Sequence, residues 1–199
     1  MEFYEAVNAR RTIREFEDKA VPQEALHRIL EAGLKAPSSD HLRQWAPVVL
    51  TERTAIEAVT KDIHPVPCNI TQPKTPQQEM FKIALPKQRS MLSGAPCLIL
   101  PYFKQTSNLY NPKDAFALIN YGATWALIEN MLLAATAEGL GCAIHIPTGT
   151  EPDSIRKVIG APKEYTLPAI IAVGYQAQNA ELPTQVSATP EEKVHWNRW

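Results

Sequence analysis

The chain has 199 residues, of which 45% are hydrophobic, and a formal net charge of -1. That length suits a single domain with a substantial core, and the balanced charge excludes a general nucleic-acid or membrane-surface binder, which carries a large basic excess. The three cysteines, Cys68, Cys97 and Cys142, are far apart and form no CxxC pair, so a disulfide framework, a zinc site and a redox dithiol are not expected and a reducing compartment fits.

In chain order, Phe3, Ala6 and Val7 recur at helical spacing and predict a short helix over 2–10. Leu26, Ile29, Leu30 and Leu34 form the apolar stripe of a second helix, which starts near Pro22 and is stopped by Pro37. "PVVLTE" at 47–52 reads as a buried strand, with a helix over 54–63 after it. Residues 64–80 hold four prolines among polar residues; a structureless excursion of that length is expected to serve as a lid or binding loop. A short helix over 86–93 and a strand over 97–103, "CLILPYF", come next. Residues 113–139 are apolar almost all round and predict a long buried helix. "LGCAIHI" predicts a strand, "DSIRKVIG" a short helix closed by Gly160, and "LPAIIAVGY" a last strand. The closing "VHWNRW" puts Trp196 and Trp199 where tails are usually polar; such a tail packs either on another subunit or on its own domain. The N-terminal stretch lacks the apolar core of a signal peptide, and no run of about 18 apolar residues occurs. No membrane contact is expected, and the cytoplasm is the expected location.

The common catalytic signatures GxxxxGK[ST], GxGxxG, GxSxG and HExxH are absent. Asp40, His41, Cys142 and His145 have no metal-ligand spacing, so no metal is expected. Two polar clusters stand out. "NARRTIREF" places Arg10, Arg11 and Arg14 within five positions. Arg10 and Arg14, four apart, share a face if the segment is helical, and their repulsion is removed by a bound anion. Arginine presents a rigid fork for phosphate oxygens, and Thr12 adds a hydroxyl. A solvated helix end fits the same pattern. The second cluster, "APSSDHLRQW", is a turn rich in hydrogen-bonding groups directly after a helix stop, which an ordinary loop also explains.

Taken together, these clusters resemble the nitroreductase family of flavin-dependent enzymes. The likeness lies in [RK]-x-[ST]-x-[RK]-x-F, here Arg10, Thr12, Arg14 and Phe16. It continues in A-P-S-x-x-x-x-x-W, here Ala36, Pro37, Ser38 and Trp45, then "ENMLLAATAEGLGC", "LPAIIAVGY" and "VHWNRW". The resemblance implies an α+β fold with a central, mostly antiparallel sheet flanked by helices, in an intertwined homodimer. It implies one domain over 1–199, with the 64–80 excursion above the flavin and a tail at 183–199 that embraces the partner. FMN is the implied cofactor and NAD(P)H the implied co-substrate. Arg10, Arg11, Thr12 and Arg14 are implied to hold the FMN phosphate and the nearby polar edge of the ring, where reduction places negative charge. Pro37, Ser38, Ser39 and His41 are implied to come from the partner subunit against the ring. The turn of His145, Ile146, Pro147 and Thr148 is implied to offer backbone N–H groups to flavin N5 and O4.

This chain also differs from the family pattern. His41 stands where Asn is common in the turn, and Gln44 is displaced by one position. Ser187 and Thr189 lie where many members carry cations, the first cation after them being Lys193. The phosphate is then held less strongly or with help from Lys87 or Arg89. The implied activity is hydride transfer from NAD(P)H through FMN to a small oxidised acceptor by a ping-pong cycle, the flavin and not a side chain carrying the chemistry. Two alternatives are a specialised dehydrogenase or dehalogenase of one metabolite and a flavin-binding protein without turnover.

Overall fold

A computed structural model describes residues 1–199. Thirteen elements follow one another: α1 (Phe3–Ala9), α2 (Gln23–Leu34), β1 (Trp45–Leu50), α3 (Arg53–Thr60), α4 (Pro76–Ala84), α5 (Ser90–Ser93), β2 (Cys97–Lys104), α6 (Ile119–Ala137), β3 (Gly141–His145), α7 (Glu151–Ile159), β4 (Tyr165–Thr166), β5 (Ile170–Gly174) and α8 (Pro190–Lys193). The strands form one antiparallel sheet in the order β1-β2-β5-β3, with β4 paired to the far end of β2. The fold is therefore α+β with a helix-flanked antiparallel sheet, as the sequence predicts.

Helices cover both faces of the sheet, so β2 and β5 read as unbroken apolar runs rather than alternating ones. Alternation still sorts their side chains. Cys97, Ile99, Ile171 and Val173 point to a core built with α2 and α6. Leu98, Leu100, Ile170 and Ala172 point to a second core built with α3, α5 and α7. α6 runs along the first face, and its buried side carries Thr124, Leu127, Ile128, Met131, Leu132 and Ala135.

Three predicted elements need correction. The long helix begins at Ile119, not 113: the Asp114 side chain accepts the Ala117 N–H at 3.0 Å and caps a separate 3-10 turn over Ala115–Leu118. The excursion over 64–80 is not structureless to its end. Thr75 caps α4 by accepting the Gln78 N–H at 3.2 Å, and Pro76 occupies the first helical position, where its missing N–H costs nothing. The helix expected over 86–93 shrinks to the single turn of α5. No helix is long and apolar enough to cross a membrane.

Candidate functional site

α1 ends at Ala9, and Arg10 already has extended backbone. Residues 10–14 therefore do not form the helical face that the Arg10 and Arg14 spacing suggests. They run as an extended strip along the free edge of β3: Thr12 bridges Cys142 in parallel, and the Ile13 N–H donates to the Cys142 carbonyl at 2.8 Å. Extended geometry still gathers the polar groups, because Arg10, Thr12 and Arg14 share one side at period two. Ile13 points the other way and is buried. Gly141 makes that docking possible, since a Cβ there would lie 2.5 Å from Ile13 Cγ1.

The cations of the strip are in different states. Arg10 Nε lies 3.7 Å from Glu129 Oε1 on α6. Arg11 donates through Nη2 to the Pro183 carbonyl. Arg14 is half-buried; its Nη1 is shut off from solvent without any hydrogen-bond acceptor, and burial pulls its pKa below the ordinary guanidinium value. Two cavities border the strip. One, of about 340 Å³, is walled by Arg11, Thr12 and Arg14 on one side, by Pro76, Gln77 and Met80 of α4 on another, and by Pro183–Val186. A smaller one, of about 130 Å³, lies between the strip, Leu132 of α6 and Cys142 and Ile144 of β3. Burial, with Cys97 nearby, pushes the Cys142 thiol up to about 12, so this wall offers no thiolate nucleophile. The α4 wall of this cavity is the element that sequence reading missed; its Thr-Pro-x-Gln cap was the available signal.

The Pro37 turn lies elsewhere. Pro37, Ser38 and Ser39 border a cavity of about 220 Å³ with Ile119, Gly122, Ala123 and Ala126 of α6. Ala126 and Leu132 are six residues apart, about 9 Å along the helix and on different faces of it. Within one chain, then, the turn and the strip border different cavities, although Glu129, the partner of Arg10, lies within one turn of Ala126. The turn is strained: Asp40, His41 and Arg43 all adopt left-handed backbone, at φ of 49°, 54° and 45°. Ser38 Oγ accepts the Arg43 N–H at 3.2 Å, and His41 is exposed.

The turn after β3 is built differently again. His145 is buried at 6% exposure, with Nδ1 3.0 Å from Gln88 Oε1 and Nε2 2.9 Å from Glu151 Oε2. The Thr148 N–H donates to the same Glu151 oxygen at 2.8 Å, so it is already engaged; Ile146 is exposed. Lys87 is engaged as well, 3.1 Å from both Glu15 and Glu181. No cluster of three or more His, Cys, Asp or Glu side chains is positioned to hold a metal ion. The tail does not pack on its own domain: Trp196 is 79% and Trp199 100% exposed, the latter stacked only on His195.

Comparison with known proteins bears directly on this arrangement. The chain is 27% identical over 184 residues to the NADH dehydrogenase of Thermus thermophilus, covering 85% of this chain and 84% of that protein. It is 26% identical over 186 residues to iodotyrosine deiodinase 1 of Mus musculus, covering 92% of this chain and 65% of that protein. The crystal structure of oxidized iodotyrosine deiodinase bound to FMN and 3-iodo-L-tyrosine shares the fold, with a TM-score of 0.74 at 20% identity over the whole of both chains. Residues 7–175, from the end of α1 to the close of β5, match the sequence profile of the Nitroreductase family, and the chain belongs to that family.

Proposed function

We propose that this chain is an FMN-dependent oxidoreductase that passes hydride from NAD(P)H, by way of the flavin, to a small oxidised acceptor such as a nitroaromatic or a quinone in a ping-pong cycle. The observation that carries the reading is Arg14. Its guanidinium is fixed on a sheet edge with a buried, unpartnered Nη1, beside Arg10, Arg11 and Thr12. An unmatched buried donor costs roughly 1–3 kcal/mol, and a phosphate oxygen is the acceptor that a guanidinium fork fits. The residues present therefore suit FMN.

When bound, FMN supplies the hydride chemistry. The chain's own groups hold and orient. Arg10, Arg11, Thr12 and Arg14 take the phosphate and the adjoining polar edge of the ring, their fixed charge opposing the negative charge that reduction adds. The turn of His145, Ile146, Pro147 and Thr148 backs the ring. Pro37, Ser38, Ser39 and His41 would approach a ring held by the partner copy; in their own chain they border a cavity other than those beside the strip. Homodimerisation follows from the same logic. α6 is apolar nearly all round, yet Ile119 and Gly122 are uncovered in the single chain, and the tail presents Val194, Trp196 and Trp199 to solvent. A monomer in sedimentation equilibrium would count against a site shared between two copies.

A second reading keeps the flavin and changes the acceptor: reductive dehalogenation of a halogenated aromatic, favoured by the similarity to iodotyrosine deiodinase. Steady-state assays separate the two. Oxidation of NADH or NADPH coupled to nitroaromatic or quinone reduction is the expected outcome. Halide release from 3-iodotyrosine, with negligible turnover of nitroaromatics and quinones, would move the assignment to the second reading.

A further inference from the structure

At the 146–150 turn lies a polar cluster, half-buried except for the buried His145, whose groups all come from this chain. His145 closes β3, and both of its ring nitrogens are engaged: Nδ1 faces Gln88 Oε1 at 3.0 Å and Nε2 faces Glu151 Oε2 at 2.9 Å. The Gln88 amide is oriented by its other end, because Nε2 donates to the Ala84 carbonyl at 2.9 Å and leaves the oxygen toward the ring. Both partners of the ring are therefore acceptors. Glu151 Oε2 also takes the Thr148 N–H at 2.8 Å.

The cluster joins three segments: the end of β3, the first turn of α7, and the chain between α4 and α5. The intervening turn has Gly149 at φ 56°; the Glu151 N–H donates to the Thr148 carbonyl at 3.0 Å and the Ser154 N–H to the Thr150 carbonyl at 3.1 Å, so its far end is tied to α7 and its near end follows from where β3 meets the Gln88 segment. Next to Gln88, Lys87 binds Glu15 at the end of the cation strip and Glu181 at the root of the tail. The support for the turn is thus continuous with the support for the strip.

We propose that His145, clamped between Gln88 and Glu151, is a positioning residue that sets the 146–150 turn against the flavin ring. The proposal rests on the FMN reading given above. Its effect is on the placement of the ring, whereas the strip holds the phosphate, so removing the clamp separates the two. In His145→Ala and in the milder Gln88→Ala, FMN affinity falls less than in Arg14→Ala, since no phosphate contact is touched, while the visible flavin bands shift and kcat falls at unchanged KM. In the FMN-free protein, amide exchange across 146–150 is about tenfold faster, the factor lost with one net hydrogen bond. Gln88→Glu, which keeps an oxygen acceptor on the ring, restores the parent spectrum and exchange. Unchanged flavin bands and unchanged exchange in Gln88→Ala overturn the proposal, even if His145→Ala fails to fold. If the parent binds no FMN, the FMN reading fails, and exchange in the FMN-free protein still reports whether the clamp holds the turn.

Discussion

The strip at 10–14 and the turn at 37–43 are both short, polar and outside regular structure, yet they are held in opposite ways. The strip is fastened to its own domain: backbone bonds to β3, a buried Ile13, and a Gly141 with no Cβ to push it away. Its functional groups are half-sunk, and one is left wanting an acceptor. The turn has exposed side chains and three non-glycine residues in left-handed backbone, a conformation that costs roughly 1–2 kcal/mol for each L-residue. Strain of this kind persists at sites where function selects the geometry. On the proposed reading, the strip is the finished half of a binding site and the turn is a half shaped in advance for something outside the chain.

The first way to break that comparison is Arg14→Ala. A charge-assisted bond contributes about 1.5–3 kcal/mol, so the FMN dissociation constant should rise on the order of 10- to 150-fold. Equilibrium binding followed by flavin fluorescence checks it, and an unchanged constant would remove the strip from the site. Gly141→Ala tests the fastening without touching a cation. Its Cβ must displace Ile13, so thermal unfolding should show a loss of about 1–3 kcal/mol, the usual cost of overpacking, with weaker FMN binding alongside. Full FMN affinity in that variant would mean that docking on β3 is dispensable. The smallest effect sharpens the other side: Arg43→Gly relieves a left-handed residue and should stabilise the fold by about 0.5–1 kcal/mol, since glycine's gain in φ is partly offset by its entropy. A loss of stability in denaturant unfolding would show that the turn is not strained.

Much of this was legible in the sequence. β2 and β5 announce themselves as unbroken apolar runs because both their faces are covered, and the stripe of α2 and the all-round apolarity of α6 are equally plain. What misled was local reasoning applied to residues with distant partners. The Arg10 and Arg14 spacing looks helical, but Ile13 is drawn onto β3 by a glycine 128 positions away, and tertiary docking outweighs propensity. Lys87 looks free until Glu15 and Glu181, 166 positions apart, close on it. His145 was singled out for its turn and not for its ring, because Gln88 lies 57 positions upstream. α4 is a different kind of miss: four prolines outweighed a readable Thr75-Pro76 helix start.

The central claim is that the strip holds a flavin which NAD(P)H reduces. The most direct measurement is to saturate the purified protein with FMN under anaerobic conditions, add NADH or NADPH, and follow the two visible flavin bands. The account predicts that the bands bleach with one or both nucleotides and return when an oxidised acceptor is admitted. A protein that binds no FMN, or whose bound flavin stays yellow with both nucleotides, would contradict it.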